Sequence, residues 1–170
     1  MRSFLFPGLT ARAKRGQPLF DRAVREARQS HWYRGAAVPD TIDGRFAMLA
    51  TVSALLIVRL EAGGAEGEAA SAALTERFIE AMDAEHRQLG LNDPGLGRKV
   101  RKLVGALERR VDAWRAATAG TGGWSETVRS SVYRAEAADP EAVDRAGDSL
   151  RDFWARLERV PDRQLLDGEF

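Results

Sequence analysis

The chain has no cysteine and only two histidines, His31 and His86. The first absence removes disulfides, thiolate metal ligands and thiol nucleophiles together. The second leaves too few imidazoles for a multi-histidine metal centre. Long apolar runs are scarce as well. The longest uncharged stretch, Phe46 to Val58, is bounded by Arg45 and Arg59. It falls short of the ~20 apolar residues a spanning helix needs and has the length of a buried core helix. Near the N-terminus, Pro7 and Gly8 interrupt Phe4, Leu5 and Phe6 before they reach the roughly 7–15 apolar residues of a secretory signal, so none is expected. Strand-like alternation is nearly absent. So are the GxxxxGK[ST] phosphate loop and a GxGxxG after a strand. The glycines at 63–64 and 120–123 stand without a neighbouring Lys–Ser/Thr and read as hinges between helices.

What is present is helical spacing in a chain of 170 residues, 44% hydrophobic and 30% charged, enough for one ordinary domain. A first helix is expected from Pro18, a residue accepted in the first turn because its missing N–H would be unpaired there. It places Phe20, Val24 and Ala27 on one face and runs into His31, Trp32 and Tyr33. A loop carrying Pro39 follows, with Thr41 or Asp43 as the next cap. The segment from about 44 to 60 is apolar on nearly all sides, so other helices must enclose it. Residues 63–67 read as a flexible link. A third helix from about 68 to 89 repeats Leu74, Phe78 and Met82, stopped by Gly90. From Arg98, the residues Val100, Leu103, Val104, Leu107, Val111 and Trp114 trace a narrow amphipathic arc. A shorter helix lies around 125–137. Asp139 and Pro140 open a last long helix that Pro161 ends. The expectation is an all-α, single compact domain of about six helices around the central helix at 44–60. Residues 1–16 form a flexible basic segment, 17–160 the helical domain, and 161–170 a loosely held tail.

Few residues offer chemistry. Glu85 and His86 would need a second ligand set on a facing helix, and no such set is evident. His31, Trp32 and Tyr33 either ligate haem or stack on a quinone, or close over the core. Thr51 and Ser53, inside the central helix, are expected to bond its own carbonyls. No catalytic residue, cofactor or metal is expected.

Net charge is only +1, but it is unevenly placed. Residues 1–30 hold seven Lys/Arg against Asp21 and Glu26, and residues 98–115 hold seven against Glu108 and Asp112. Residues 40–93 carry ten acids against four arginines. Such alternation suits docking to a partner better than general nucleic-acid binding. It is equally the pattern of solvated helix faces.

Three segments together resemble the ubiquinol–cytochrome c chaperone family. They are His31 to Phe46 (HWYRGAAVPDTIDGRF), Phe78 to Asp93 (FIEAMDAEHRQLGLND) and Gly97 to Leu103 (GRKVRKL), in the family's order and spacing over roughly residues 20–120. Gln88 and Asn92 depart from the pattern, and the expected aromatic-Gly-Arg element is replaced around Ala106 to Arg110. The resemblance implies a non-catalytic assembly chaperone that binds newly made cytochrome b and supports early assembly of the bc1 complex. It also implies a small partner protein and the ribosome as further partners; separately, the basic patch at residues 98–110 suits an anionic membrane surface or RNA equally well. The lack of a transit-like N-terminus resembles a bacterial member acting in the cytoplasm, peripherally at the inner membrane face. Trp32, Tyr33, Arg45, Asp83, Arg87, Asp93, Arg98, Arg101 and Lys102 are the candidate partner-binding residues. Two other functions fit the residues: a ribosome- or RNA-associated helical adaptor, and a haem or quinone binder using His31, Trp32 and Tyr33.

Overall fold

The computed structural model describes residues 15–88, 96–133 and 138–170, and the side chains among these except at 85–88 and 96–100. Within them the chain forms eight helical segments and no strand. They are α1 (Gln17–Ala27), α2 (Ser30–Arg34), α3 (Ile42–Glu61), α4 (Gly64–Gln88), α5 (Leu96–Thr118), α6 (Trp124–Val132), α7 (Pro140–Arg159) and α8 (Asp162–Leu166). The six longer ones match the six expected; α2 and α8 are five-residue additions.

The centre is α3. Thr41 caps it, its Oγ1 accepting from the Gly44 N–H at 3.1 Å. Thr51 to Ile57 are buried without interruption, which a helix achieves only when neighbours cover it on every side. Those neighbours are α1, α4, α5, α6, α7 and α8, with α4 and α5 packing most extensively. Thr51 donates back to the Ala47 carbonyl at 2.8 Å, as expected. Ser53 does not follow: its hydroxyl is wholly buried and has no partner among the described residues.

The glycine-rich 63–67 stretch is not a flexible link. Only Ala62 and Gly63 separate α3 from α4, and Gly64 turns the chain with φ +69°. Gly67 then lies against the last turn of α3, where an added Cβ would stand 1.9 Å from the Leu60 carbonyl oxygen. The glycine is there because two backbones touch, and the hairpin is held by that contact.

The expected end of α4 at Gly90 lies outside the described residues, as do residues 1–14. The 161–170 segment is better held than its composition implies. It forms α8, buries Leu165, and brings Phe170 onto the core. The Arg22 guanidinium donates to the Phe170 main-chain oxygen and lies 4.5 Å over its ring, which in turn sits 6.2 Å from Phe153. Beneath this contact Glu26 is buried between Arg22 (3.1 Å) and Arg156 (3.0 Å). Tyr133 ties the far side together: buried, it donates to the Ala36 carbonyl at 2.5 Å, with the Ala142 carbonyl also within 3.0 Å.

Candidate partner-binding site

Helix direction decides which residues meet. Glu61, the last residue of α3, pairs with Arg115 near the end of α5 at 2.7 Å, and the two helices pack side by side. They therefore run parallel. The Gly67–Leu60 approach at one end and the Phe46–Phe78 ring contact (5.9 Å) towards the other make α4 antiparallel to both. The first turns of α3, the last turns of α4 and the first turns of α5 consequently share one end of the bundle. Tyr33 joins them, because it feels the charges of Arg45, Asp40 and Arg28.

Most of the sequence-derived candidates belong to these turns. Arg45 is exposed and donates to Asp40 at 2.6 Å, a bond that holds the Asp40 carboxyl below its ordinary range. Gly44 beside it lets the chain fold close, since a Cβ there would lie 1.9 Å from the Pro39 carbonyl oxygen. Asp83 is half-buried near the end of α4 and has a partner within the chain. Arg101 and Lys102 are exposed on α5. Arg87 and Arg98 occupy positions on α4 and α5, but their side chains, like all of Asp93, lie outside the described residues.

Trp32 differs from the rest. Its ring is fully buried and its indole N–H donates to the Glu26 carbonyl at 3.0 Å, so it offers no surface to a partner in this fold. The aromatic trio diverges: Trp32 points inward, Tyr33 is half-buried with its hydroxyl on the Ala27 carbonyl (2.8 Å), and His31 lies outside, tilted against Trp32 at 4.2 Å. Burial holds the His31 imidazole below its usual value, opposed by Glu26 and assisted by Arg156. This arrangement closes α1 and α2 over the core.

The structure adds a residue the sequence reading passed over. Ile42 is 70% exposed, the one large hydrophobic so placed among the described residues. It starts a stripe on α3 continued by Arg45, Phe46 and Leu49 at i+3, i+4 and i+7, none of them fully buried. The spacing was visible, but an all-apolar helix reads as enclosed along its whole length. Among the described residues no cluster of three or more His, Asp or Glu could hold a metal ion, and no helix is long and apolar enough to cross a membrane.

A family model described as ubiquinol-cytochrome C chaperone matches residues 34–170. The chain belongs to that family. The match carries through α6, α7 and α8, beyond residue 120 where the motif-level likeness thins. Among solved structures, the chain resembles one titled the crystal structure of the Cbp3 homolog from Brucella abortus, with a TM-score of 0.79 and 24% identity. The likeness covers 91% of this chain and 86% of that one, and it establishes a shared fold. No curated protein matches the chain.

Proposed function

We propose that this chaperone binds unassembled cytochrome b and supports early assembly of the ubiquinol–cytochrome c reductase complex, without carrying out chemistry on its client. The observation that carries the reading is the family match across residues 34–170, which spans the central helix and all its later neighbours. The client meets the shared end of α3, α4 and α5 and the adjoining outer face of α4. That face exposes Glu76 and Glu80, and cytoplasmic loops of membrane proteins are typically rich in Lys and Arg. We place the protein on the cytoplasmic side of the membrane, where such loops are reached.

The test combines genetics with placement. Deleting the gene in a bc1-containing host is expected to abolish spectroscopic cytochrome b and ubiquinol–cytochrome c reductase activity. A photo-crosslinker at position 45 is expected to capture newly made cytochrome b, while one at Arg163, beside the α3–α4 turn at the opposite end, is not. Normal bc1 levels in the deletion strain would sink the proposal. Equal crosslinking from both positions would remove the assignment of the surface.

A further inference from the structure

Resting on the client reading above, we infer that Arg145 of α7 is a positioning residue for client capture. It holds the strained loop between α2 and α3 in the conformation that seats Asp40 and the start of α3. The strain lies at Ala37. Its φ of +51° falls in the left-handed region that a side chain enters only at a cost, and it is the one non-glycine residue there among the described residues. Its side chain is exposed, so its own burial does not offset that cost. The neighbours do. Val38 is buried and donates its N–H to the Trp32 carbonyl at 3.1 Å, and buried Ala36 has its carbonyl on the Tyr133 hydroxyl. Arg145 completes the hold, donating from Nε to the Gly35 carbonyl at 2.8 Å.

The two side-chain ties differ in kind. Tyr133 is buried at the end of α6, and its single phenolic proton cannot serve the Ala36 and Ala142 carbonyls together. Ala142 lies within α7, whose own ladder occupies its carbonyl, so the proton goes to Ala36 and that tie belongs to the core. Arg145 is about half exposed, its ion pair with Glu141 is long at 3.5 Å, and it reaches 110 residues back along the chain to a backbone oxygen. A loop needed only to connect two helices would relax with glycine at position 37 and require no such tie. What the tie secures lies downstream. The Pro39 carbonyl rests on the first turn of α3, where a Cβ at Gly44 would stand 1.9 Å from it, and Asp40 bonds Arg45 at 2.6 Å. Relaxation at Ala37 shifts the Pro39 contact and Asp40 with it. Arg145 thus acts on the client's surface through the loop, without belonging to that surface.

Three substitutions separate this role from a merely structural one. Arg145→Met removes the donor at similar side-chain length on an exposed helical position. Losing a charge-assisted bond shifts a two-state balance by roughly ten- to hundredfold, enough to make the relaxed loop the major state. The Val38 amide is then expected to exchange at least about tenfold faster, with exchange in α3 and helical circular dichroism unchanged. With a photo-reactive residue at exposed position 42, capture of newly made cytochrome b is expected to fall about tenfold, in step with the held fraction. Arg145→Gln keeps an N–H at the place of Nε and is expected to retain protection and capture to within about twofold. Ala37→Gly removes the strain, so A37G/R145M is expected to recover most of both. Unchanged Val38 exchange in Arg145→Met overturns the inference on the purified chain alone, whatever becomes of the client reading. Full capture by Arg145→Met, equal loss in Arg145→Gln, or a double variant no better than Arg145→Met also overturns it. In these last three, capture by the otherwise unaltered chain leaves the client reading standing.

Discussion

Ser53 shows how one atom can be misplaced in energy while well placed in space. Its hydroxyl sits at the fully buried centre of α3 with no hydrogen-bond partner among the described residues, and an unpaired buried polar group typically costs about 1–3 kcal/mol. Ser53→Ala removes that cost and leaves only a small void, so we expect it to be neutral or stabilising by up to about 1 kcal/mol, read as an unchanged or raised thermal midpoint. A clear loss of stability would mean that the hydroxyl has a partner, such as an internal water. His31 gives a prediction of opposite character. Burial holds its folded-state pKa below the unfolded value of 6.5, so the unfolded chain takes up the proton more readily. The stability due to neutral His31 is complete above that pH and is lost as the pH falls from 6.5 towards the folded value. His31→Gln should flatten the decline in thermal midpoint across this window while leaving the deeper loss from carboxylate protonation in place.

At the scale of elements, two glycines in helices respond oppositely to the same change. Among the described residues, Gly105 on α5 faces only the flexible Arg109 side chain, 3.4 Å from an added Cβ. Gly105→Ala is therefore expected to stabilise by about 0.5–1 kcal/mol through the lower entropy of the unfolded chain. Gly67→Ala instead drives a methyl into the Leu60 carbonyl and is expected to cost about 3 kcal/mol. Urea titrations with a constant m-value would show the two midpoints moving apart. This pair also marks the limit of what periodicity conveys. The amphipathic arc of α5, the Thr41 cap and the Asp139–Pro140 start were legible because each depends on neighbours in sequence. The tight α3–α4 turn was not, because Gly67 is required by Leu60 across a hairpin, and composition alone reads glycines as slack. Trp32 and Tyr33 raise the same difficulty at the candidate site. Adjacent helical residues point about 100° apart, so a sequence cluster need not be a spatial one. The parallel course of α3 and α5, which gathers Arg45, Arg101 and Lys102 at one end, is a topological fact that no motif encodes.

For the whole molecule, the governing contact is between its distant parts. Glu26 is buried between Arg22 of its own helix and Arg156 of α7. Removing it leaves two guanidinium groups without their carboxylate. Because Arg156 keeps about half its side chain in solvent, the expected cost of Glu26→Ala is about 2–3 kcal/mol, below that of a fully enclosed pair. Double-mutant cycles with Arg156→Ala would recover a coupling energy, whereas strict additivity would show that the two do not interact.

That cluster also sets an order in time. Glu26 waits for Arg156, and Arg22 for Phe170, partners 130 and 148 residues further along the chain. Contacts that span so much sequence carry a large loop-closure entropy and form late. During synthesis α3, α4 and α5 can assemble as a local unit once they emerge, while α1 remains without its lock until Arg156 and Phe170 have left the ribosome. Helix α1 is thus among the last parts to be fixed, and a nascent chain stalled before α7 should show α1 open to proteolysis beside an already protected α3.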